Sequence, residues 1–201
     1  MIAIINSGIA NVRSVQKGFE VMGFRAKVIE DPGELKGASA IVLPGVGAFQ
    51  KGMDYLQEKG FREPLNRWIA TGRPLLGICL GFQLLCEVSE EFGLHQGLNI
   101  FSGRVRRFPR GQKVPHMGWN SIHVEREIPL LEGIPEGSYF YFVHSYFFDS
   151  PDQSVVAAST DYGITFPSII ARHNVYATQF HPEKSQKLGL RILGNFGGLT
   201  K

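Results

Sequence analysis

The chain has 201 residues, 21 basic against 18 acidic, with 43% apolar, 11% aromatic and 19% charged side chains. That balance is too apolar and too lightly charged for a disordered chain, and too close to neutrality to point to a nucleic-acid partner. No apolar run approaches the roughly 20 residues of a membrane span, and Met1–Asn6 lacks the basic stretch of a signal peptide. Two cysteines make no disulfide framework, so one cytoplasmic domain over residues 1–201 is expected.

In chain order, Ile2–Ile5 reads as a short buried strand, and Val12, Val15, Phe19 and Met22 recur at helical spacing until Gly23. Phe24–Ile29 alternates as a second strand, and Ala40–Leu43 is a third, stopped by Pro44 and Gly45. Phe49, Met53 and Leu56 predict one helix, and Leu65, Trp68 and Ile69 another. Leu75–Ile78 is again a buried strand; Leu80, Leu84, Leu85 and Val88 then predict a helix that carries Cys86 along it. From about Phe101 the pattern turns to strands, over Arg104–Phe108, Ser121–Val124, Ser138–Val143, Ser154–Ser159, Ser168–Ala171 and Val175–Phe180. Leu188, Ile192, Leu193 and Phe196 close the chain as a helix. Strand–helix alternation with continuous apolar strands predicts an α/β fold: a mostly parallel central sheet flanked by helices, with an antiparallel β extension in the second half.

The sharpest chemical signal is Gly77-Ile78-Cys79-Leu80-Gly81, where a buried strand turns into a helix. Small residues on both sides of a nucleophile permit a cramped turn that pushes its side chain out of the sheet edge, as in the serine elbow of hydrolases. The helix start behind it favours thiolate and offers N–H groups to an oxyanion. The same pentapeptide is compatible with a core cysteine between packing glycines, which is the reading for Cys86. A thiolate needs a base and the base an orienting group. His181 follows a strand, and Glu183 lies two residues on, past Pro182; a surface His-Pro-Glu turn is the alternative. Pro44-Gly45-Val46-Gly47-Ala48-Phe49 also follows a buried strand and presents backbone N–H groups, without the spacing of a nucleotide loop. All three segments fall at strand carboxyl ends, where open α/β sheets hold ligands. The basic stretch from Arg104 to Lys113 reads as a solvated hairpin. His95, His116 and His123 lack partners at ligand spacing, so no metal is expected.

Gly-Ile-Cys-Leu-Gly-Phe-Gln at 77–83, the Pro-Gly-Val-Gly-Ala-Phe segment and Gln179-Phe180-His181-Pro182-Glu183-Lys184-Ser185 together resemble the class I, triad-type glutamine amidotransferases. Pro115-His116-Met117-Gly118-Trp119-Asn120 and Tyr141–Tyr146 narrow the resemblance to the glutaminase subunits of imidazole glycerol phosphate synthases, over residues 2 to 195. The resemblance implies a flavodoxin-like sheet and hydrolysis of glutamine to glutamate and ammonia without a cofactor. Cys79 is then the nucleophile, His181 the proton carrier and Glu183 its orienting acid. Val46, Gly47 and Leu80 supply oxyanion donors, and Gly45, Gly47, Gln83, Ser145 and Tyr146 hold the substrate. The implied partner is a (β/α)8-barrel cyclase subunit in a heterodimer, which takes the ammonia and is touched by Asn11, Trp119 and Lys184. Val46 is implied to be a backbone switch that the partner gates. A glutaminase serving another synthase, or a non-catalytic module of the same fold, are the alternatives. One segment departs from the family: Asn6-Ser7-Gly8-Ile9-Ala10-Asn11 stands where Asp-Tyr-Gly-x-Gly-Asn is common.

Overall fold

The computed structural model describes residues 1–6 and 11–200; Ser7, Gly8, Ile9 and Ala10 of the departing segment lie outside them. The elements are β1 (Ile2–Ile5), α1 (Val12–Val21), β2 (Ala26–Ile29), β3 (Ala40–Gly45), α2 (Phe49–Glu58), α3 (Arg62–Ala70), β4 (Leu75–Cys79) and α4 (Leu80–Leu84). Next come β5 (Cys86–Ser89), β6 (His95–Gln96), β7 (Phe101–Arg107), β8 (His116–Ser121), β9 (His123–Val124), β10 (Tyr139–His144) and β11 (Tyr146–Asp149). The chain ends with β12 (Val156–Asp161), β13 (Thr165–Arg172), β14 (Val175–Thr178) and α5 (Gln186–Gly198).

The main sheet has the order β2-β1-β3-β4-β14-β13-β12-β9. Pairing is parallel from β2 through β14 and antiparallel from β14 to β9. The apolar strands have no polar face because each face meets helices. Ile2 and Ile4 of β1 join Val15 and Phe19 of α1 and Ile192, Leu193 and Phe196 of α5 in one core. Ala3 and Ile5 join Phe49, Leu56, Leu65, Trp68 and Leu80, from α2, α3 and α4, in the other. Two smaller sheets, β11-β7-β5-β6 and the ribbon β10-β8, form the antiparallel extension, apart from a parallel β5–β7 pairing. Among the described residues, no helix is long and apolar enough to cross a membrane.

The helix expected to run past Cys86 stops at Leu84, and Val88 lies in β5. Its continuation is taken over by nonlocal bonds: the Leu84 carbonyl accepts from Leu98 N–H at 2.9 Å, and the Leu85 carbonyl from Ile100 and Phe101 at 2.9 and 3.1 Å. Apolar residues at 80, 84, 85 and 88 fit a helix, but Cys86–Ser89 also alternates, and tertiary pairing decides. Cys86 is fully buried there, and burial raises its thiol pKa well above the ordinary value. The basic stretch is a paired surface: Arg104 meets Glu90 at 3.3 Å and Arg106 meets Asp149 at 2.7 Å.

Candidate active site

Gly45 lies opposite Cys79 across β3 and β4, and Thr178 opposite Ile78 across β14 and β4. The carboxyl ends of three adjacent parallel strands therefore stand side by side, and the segments singled out in the sequence all leave from that edge. Cys79 turns the chain from β4 into α4 with φ +54° and ψ −107°. A side-chain-bearing residue in that region costs on the order of 1–3 kcal/mol, held here by packing around it. The glycines are needed because of what they touch. A Cβ on Gly81 would stand 1.7 Å from the Leu43 carbonyl oxygen, and one on Gly77 2.9 Å from the backbone carbonyl of Gly81. The result is a cysteine 6% exposed, its Sγ 3.8 Å from the Val143 carbonyl oxygen and 4.0 Å from Gln179 Nε2.

His181 follows β14 and is clamped by its backbone. Its N–H donates to the Tyr141 carbonyl at 2.9 Å, and its carbonyl accepts from the Ser185 hydroxyl at 2.6 Å, whose oxygen accepts from the Tyr141 N–H at 2.9 Å. Nδ1 bonds Glu183 Oε1 at 2.8 Å, with both side chains only 3% exposed. The carboxylate is an obligate acceptor, so Nδ1 is the donor and Nε2 is left over. Nε2 is buried without a hydrogen-bond partner. Burial by itself disfavours the imidazolium, but the charge of the Cys79 sulfur, together with the hydrogen bond and charge of the Glu183 carboxylate, outweighs it and raises the His181 pKa. Thiol, imidazole and carboxylate thus form one electrostatic unit.

A cavity of about 350 Å³ opens over Cys79. Val46, Gly47, Leu80, Gln83, Ser145 and Tyr146, all expected in the site, line it together with Cys79. Gly45 does not: it lies beneath Leu80, where a Cβ would meet the Leu80 Cβ at 2.9 Å. Gly47 takes φ +93°, which turns the strip across the cavity mouth. Gln83 Nε2 donates to the Tyr146 carbonyl at 3.0 Å and to Gln179 Oε1 at 3.1 Å.

Three contributors escaped the sequence reading. Glu91 lines the cavity while its Oε2 accepts the Phe49 N–H at 2.6 Å, at the start of α2. Its one signal is an acid following a buried segment. Gln179, fully buried, joins Gln83 to the sulfur, and nothing in its local sequence assigns it that role. Ser185, six residues on, clamps His181. His144, at the polar end of the Tyr139–Tyr146 run that the sequence offers as a cleft wall, lines the cavity beside Ser145. Among the described residues, no group of three His, Cys, Asp or Glu side chains is arranged to hold a metal ion.

The residues expected to meet a partner lie nearby. Register places Met117, Trp119 and Ser121 of β8 on one face of the ribbon with Val143, Tyr141 and Tyr139 of β10. Met117 is 62%, Trp119 46% and Tyr139 58% exposed. Trp119 meets Tyr141 edge-on at 6.2 Å, and the Lys184 ammonium stands 5.8 Å from the Tyr141 ring centre. Asn11 caps α1, its Oδ1 accepting the Ser14 N–H at 3.3 Å.

The family model "Glutamine amidotransferase class-I" matches residues 3–197. The chain is 57% identical over 206 aligned residues to the imidazole glycerol phosphate synthase subunit HisH of Syntrophotalea carbinolica, covering 99% of this chain and 100% of that one. It is 53% identical to the HisH subunit of Desulfitobacterium hafniense, covering 98% and 93%. Among solved structures, a glutamine amidotransferase superposes with a TM-score of 0.79 at 21% identity, covering 100% and 99% of the two chains. PurLQS of Thermotoga maritima gives 0.75 at 18% identity, covering 100% and 98%. At such identities the superpositions establish the shared fold alone.

Proposed function

The chain belongs to the class-I glutamine amidotransferase family, and on that premise we propose that it is the glutaminase subunit of an imidazole glycerol phosphate synthase in histidine biosynthesis. The observation that carries the catalytic reading is the buried His181–Glu183 pair, whose unpartnered Nε2 is coupled to the Cys79 sulfur. The Cys79 thiol passes its proton to His181 Nε2, and the thiolate attacks the side-chain amide carbon of glutamine, forming the carbon–sulfur bond and a tetrahedral oxyanion. Backbone N–H groups of Leu80 and of the Val46-Gly47 strip receive that charge. His181 gives its Nε2 proton to the departing nitrogen, ammonia leaves, and a thioester remains. Neutral His181 then takes a proton from water, the hydroxide adds to the thioester carbon, and collapse returns glutamate and the free thiol. Glu183 keeps the ring in the required tautomer throughout.

The cavity suits the substrate's other end. Glu91 offers a carboxylate to the α-ammonium group, and Gln83, Ser145 and Tyr146 offer polar atoms along the wall. The exposed aromatic face of β8 and β10, with Lys184 at its margin, is the surface assigned to a (β/α)8-barrel cyclase in a heterodimer. Aromatic side chains exposed together on a rigid ribbon have the character of interface anchors. Asn11 is assigned to the same interface, and the cytoplasm to the assembled enzyme.

The test is glutamate release from glutamine by the purified chain alone, with a cyclase subunit, and with cyclase plus its nucleotide ligand. The expected result is a low rate alone that climbs in the last mixture, and no release in any mixture by Cys79→Ala. Turnover retained by folded Cys79→Ala overturns the catalytic reading, and a rate unchanged by cyclase overturns the pairing.

A further inference from the structure

The β8–β10 ribbon turns a second face inward, and that face carries two histidines, His116 of β8 and His144 of β10, that the reaction above does not use. We propose that the buried pair His116–His144 is a positioning device that holds the Tyr146 carbonyl where it receives the Gln83 amide, and so places that amide against the cavity. The proposal rests on the glutaminase reading for its substrate, but its physical core can be measured without turnover.

The hydrogen-bond directions along this pair are forced. His144 Nδ1 lies 2.8 Å from the Tyr146 carbonyl oxygen, which can only accept, so Nδ1 carries the proton. In a neutral ring Nε2 is then an acceptor, and it lies 3.0 Å from His116 Nδ1, which must donate. His116 Nε2 in turn accepts from Asn120 Nδ2 at 3.3 Å. The Asn120 amide cannot be reversed, since Nδ2 also donates to the Asp161 carbonyl at 2.9 Å and Oδ1 accepts the Ser121 N–H at 2.8 Å. Each ring nitrogen is used once. Burial lowers the His116 pKa to about 4. Burial also lowers that of His144 to about 3, assisted by the charges of His116 and His181 and opposed by the bond to Tyr146, so both rings are neutral at physiological pH.

The other end of the chain is equally constrained. The Tyr146 carbonyl accepts from both His144 and Gln83, and Gln83 spends its second N–H on Gln179 Oε1. Gln179 Nε2 then faces the Cys79 sulfur. Reversing Gln83 would set its oxygen against two acceptors, and reversing Gln179 as well would set an oxygen against the nucleophile. Gln83 therefore presents Oε1, an acceptor, to a ligand, which suits the N–H groups of an amino acid.

The surroundings argue against a merely space-filling role. His116 is stacked between Phe142 and Tyr162, with centroids at 4.9 and 4.1 Å, and His144 stands 5.2 Å from Phe108 and from Phe166. Phenyl rings would fill such a box without burying polar nitrogens, so the imidazoles are retained for what they donate.

The experiment combines nitrogen-15 NMR of the labelled full chain with steady-state kinetics in the presence of cyclase. Both rings are expected in the Nδ1–H tautomer, neutral at pH 7. His144→Phe keeps the packing and removes the donor, and should raise KM for glutamine about tenfold, with any fall in kcat smaller than that, as for one buried hydrogen bond. His144→Asn retains a donor where Nδ1 stood and should restore KM to within about twofold of the parent value. Equal KM values for folded Phe and Asn variants, or an Nε2–H tautomer at His144, overturn the proposal. Should His144→Phe not fold, the tautomers decide it alone. A parent chain that releases no glutamate overturns the glutaminase reading instead and leaves the tautomer result standing.

Discussion

The edge of the parallel sheet and the β8–β10 ribbon wall the same cavity by opposite means. At the sheet edge, backbone geometry does the placing: β3, β4 and β14 end in register, Cys79 sits at φ +54°, and His181 is held by its own N–H and carbonyl. In the ribbon, side chains do it. Alternation sends Met117, Trp119, Tyr139 and Tyr141 outward and His116, His144, Phe140 and Phe142 inward. Reactive groups are built where the chain has no freedom, whereas recognition groups are hung on a two-stranded ribbon with one face toward the core and one toward solvent.

The largest effect that would sharpen this contrast is at the sheet edge. Cys79→Ala should lower kcat at least about 10⁴-fold and His181→Ala about 10³-fold, with the melting transition retained. Glu183→Gln, which keeps the shape and loses the carboxylate, should cost about 10²-fold by releasing the tautomer. Losses in the reverse order, read from initial rates of glutamate release, would break the assignment of roles. On the ribbon, Trp119→Ala should weaken cyclase binding about tenfold to a hundredfold, measured by titration calorimetry.

Acidity should split the two regions. The depressed pKa values of His116 and His144 mean that the unfolded chain binds more protons from about pH 6.5 down to about 4 for His116 and about 3 for His144. Their contribution is complete above that window and lost on acidification, by on the order of a few kcal/mol. His181 has the opposite sign: its raised pKa stabilises the fold fully below about pH 6.5 and less as the medium turns alkaline. Urea unfolding across pH 4 to 10 should therefore give an acid slope that His144→Asn flattens and an alkaline slope that His181→Ala flattens. The smallest effect is at Cys86: its replacement by alanine should change kcat less than about twofold and cost about 1 kcal/mol of stability, since that thiol is a buried hydrophobe.

The same contrast explains what could be read from the chain itself. The parallel half announces itself because Ile2–Ile5, Ala40–Leu43 and Leu75–Ile78 are unbroken apolar runs with helical periods between them. Its chemistry is legible because Gly77, Cys79 and Gly81 are local requirements of one turn. The ribbon is not legible in that way. His116–Ser121 reads as neither strand nor helix, since Gly118 interrupts it and its inward face is polar at His116 and Asn120. What makes it a strand is a pairing with Tyr139–His144, 18 to 28 residues on from each partner, which no local pattern contains. For the same reason Glu91 and Gln179 acquire meaning only once Phe49 and Gln83 are beside them.

The depth of the nucleophile has a consequence for its survival. Cys79, 6% exposed as a residue, lies beneath a cavity of about 350 Å³, a volume suited to a single amino acid. Low exposure favours small oxidants over large ones at such a thiol, so peroxide oxidation is expected to outpace mixed-disulfide formation at Cys79, and mass spectrometry of the chain treated with hydrogen peroxide or with glutathione disulfide tests this.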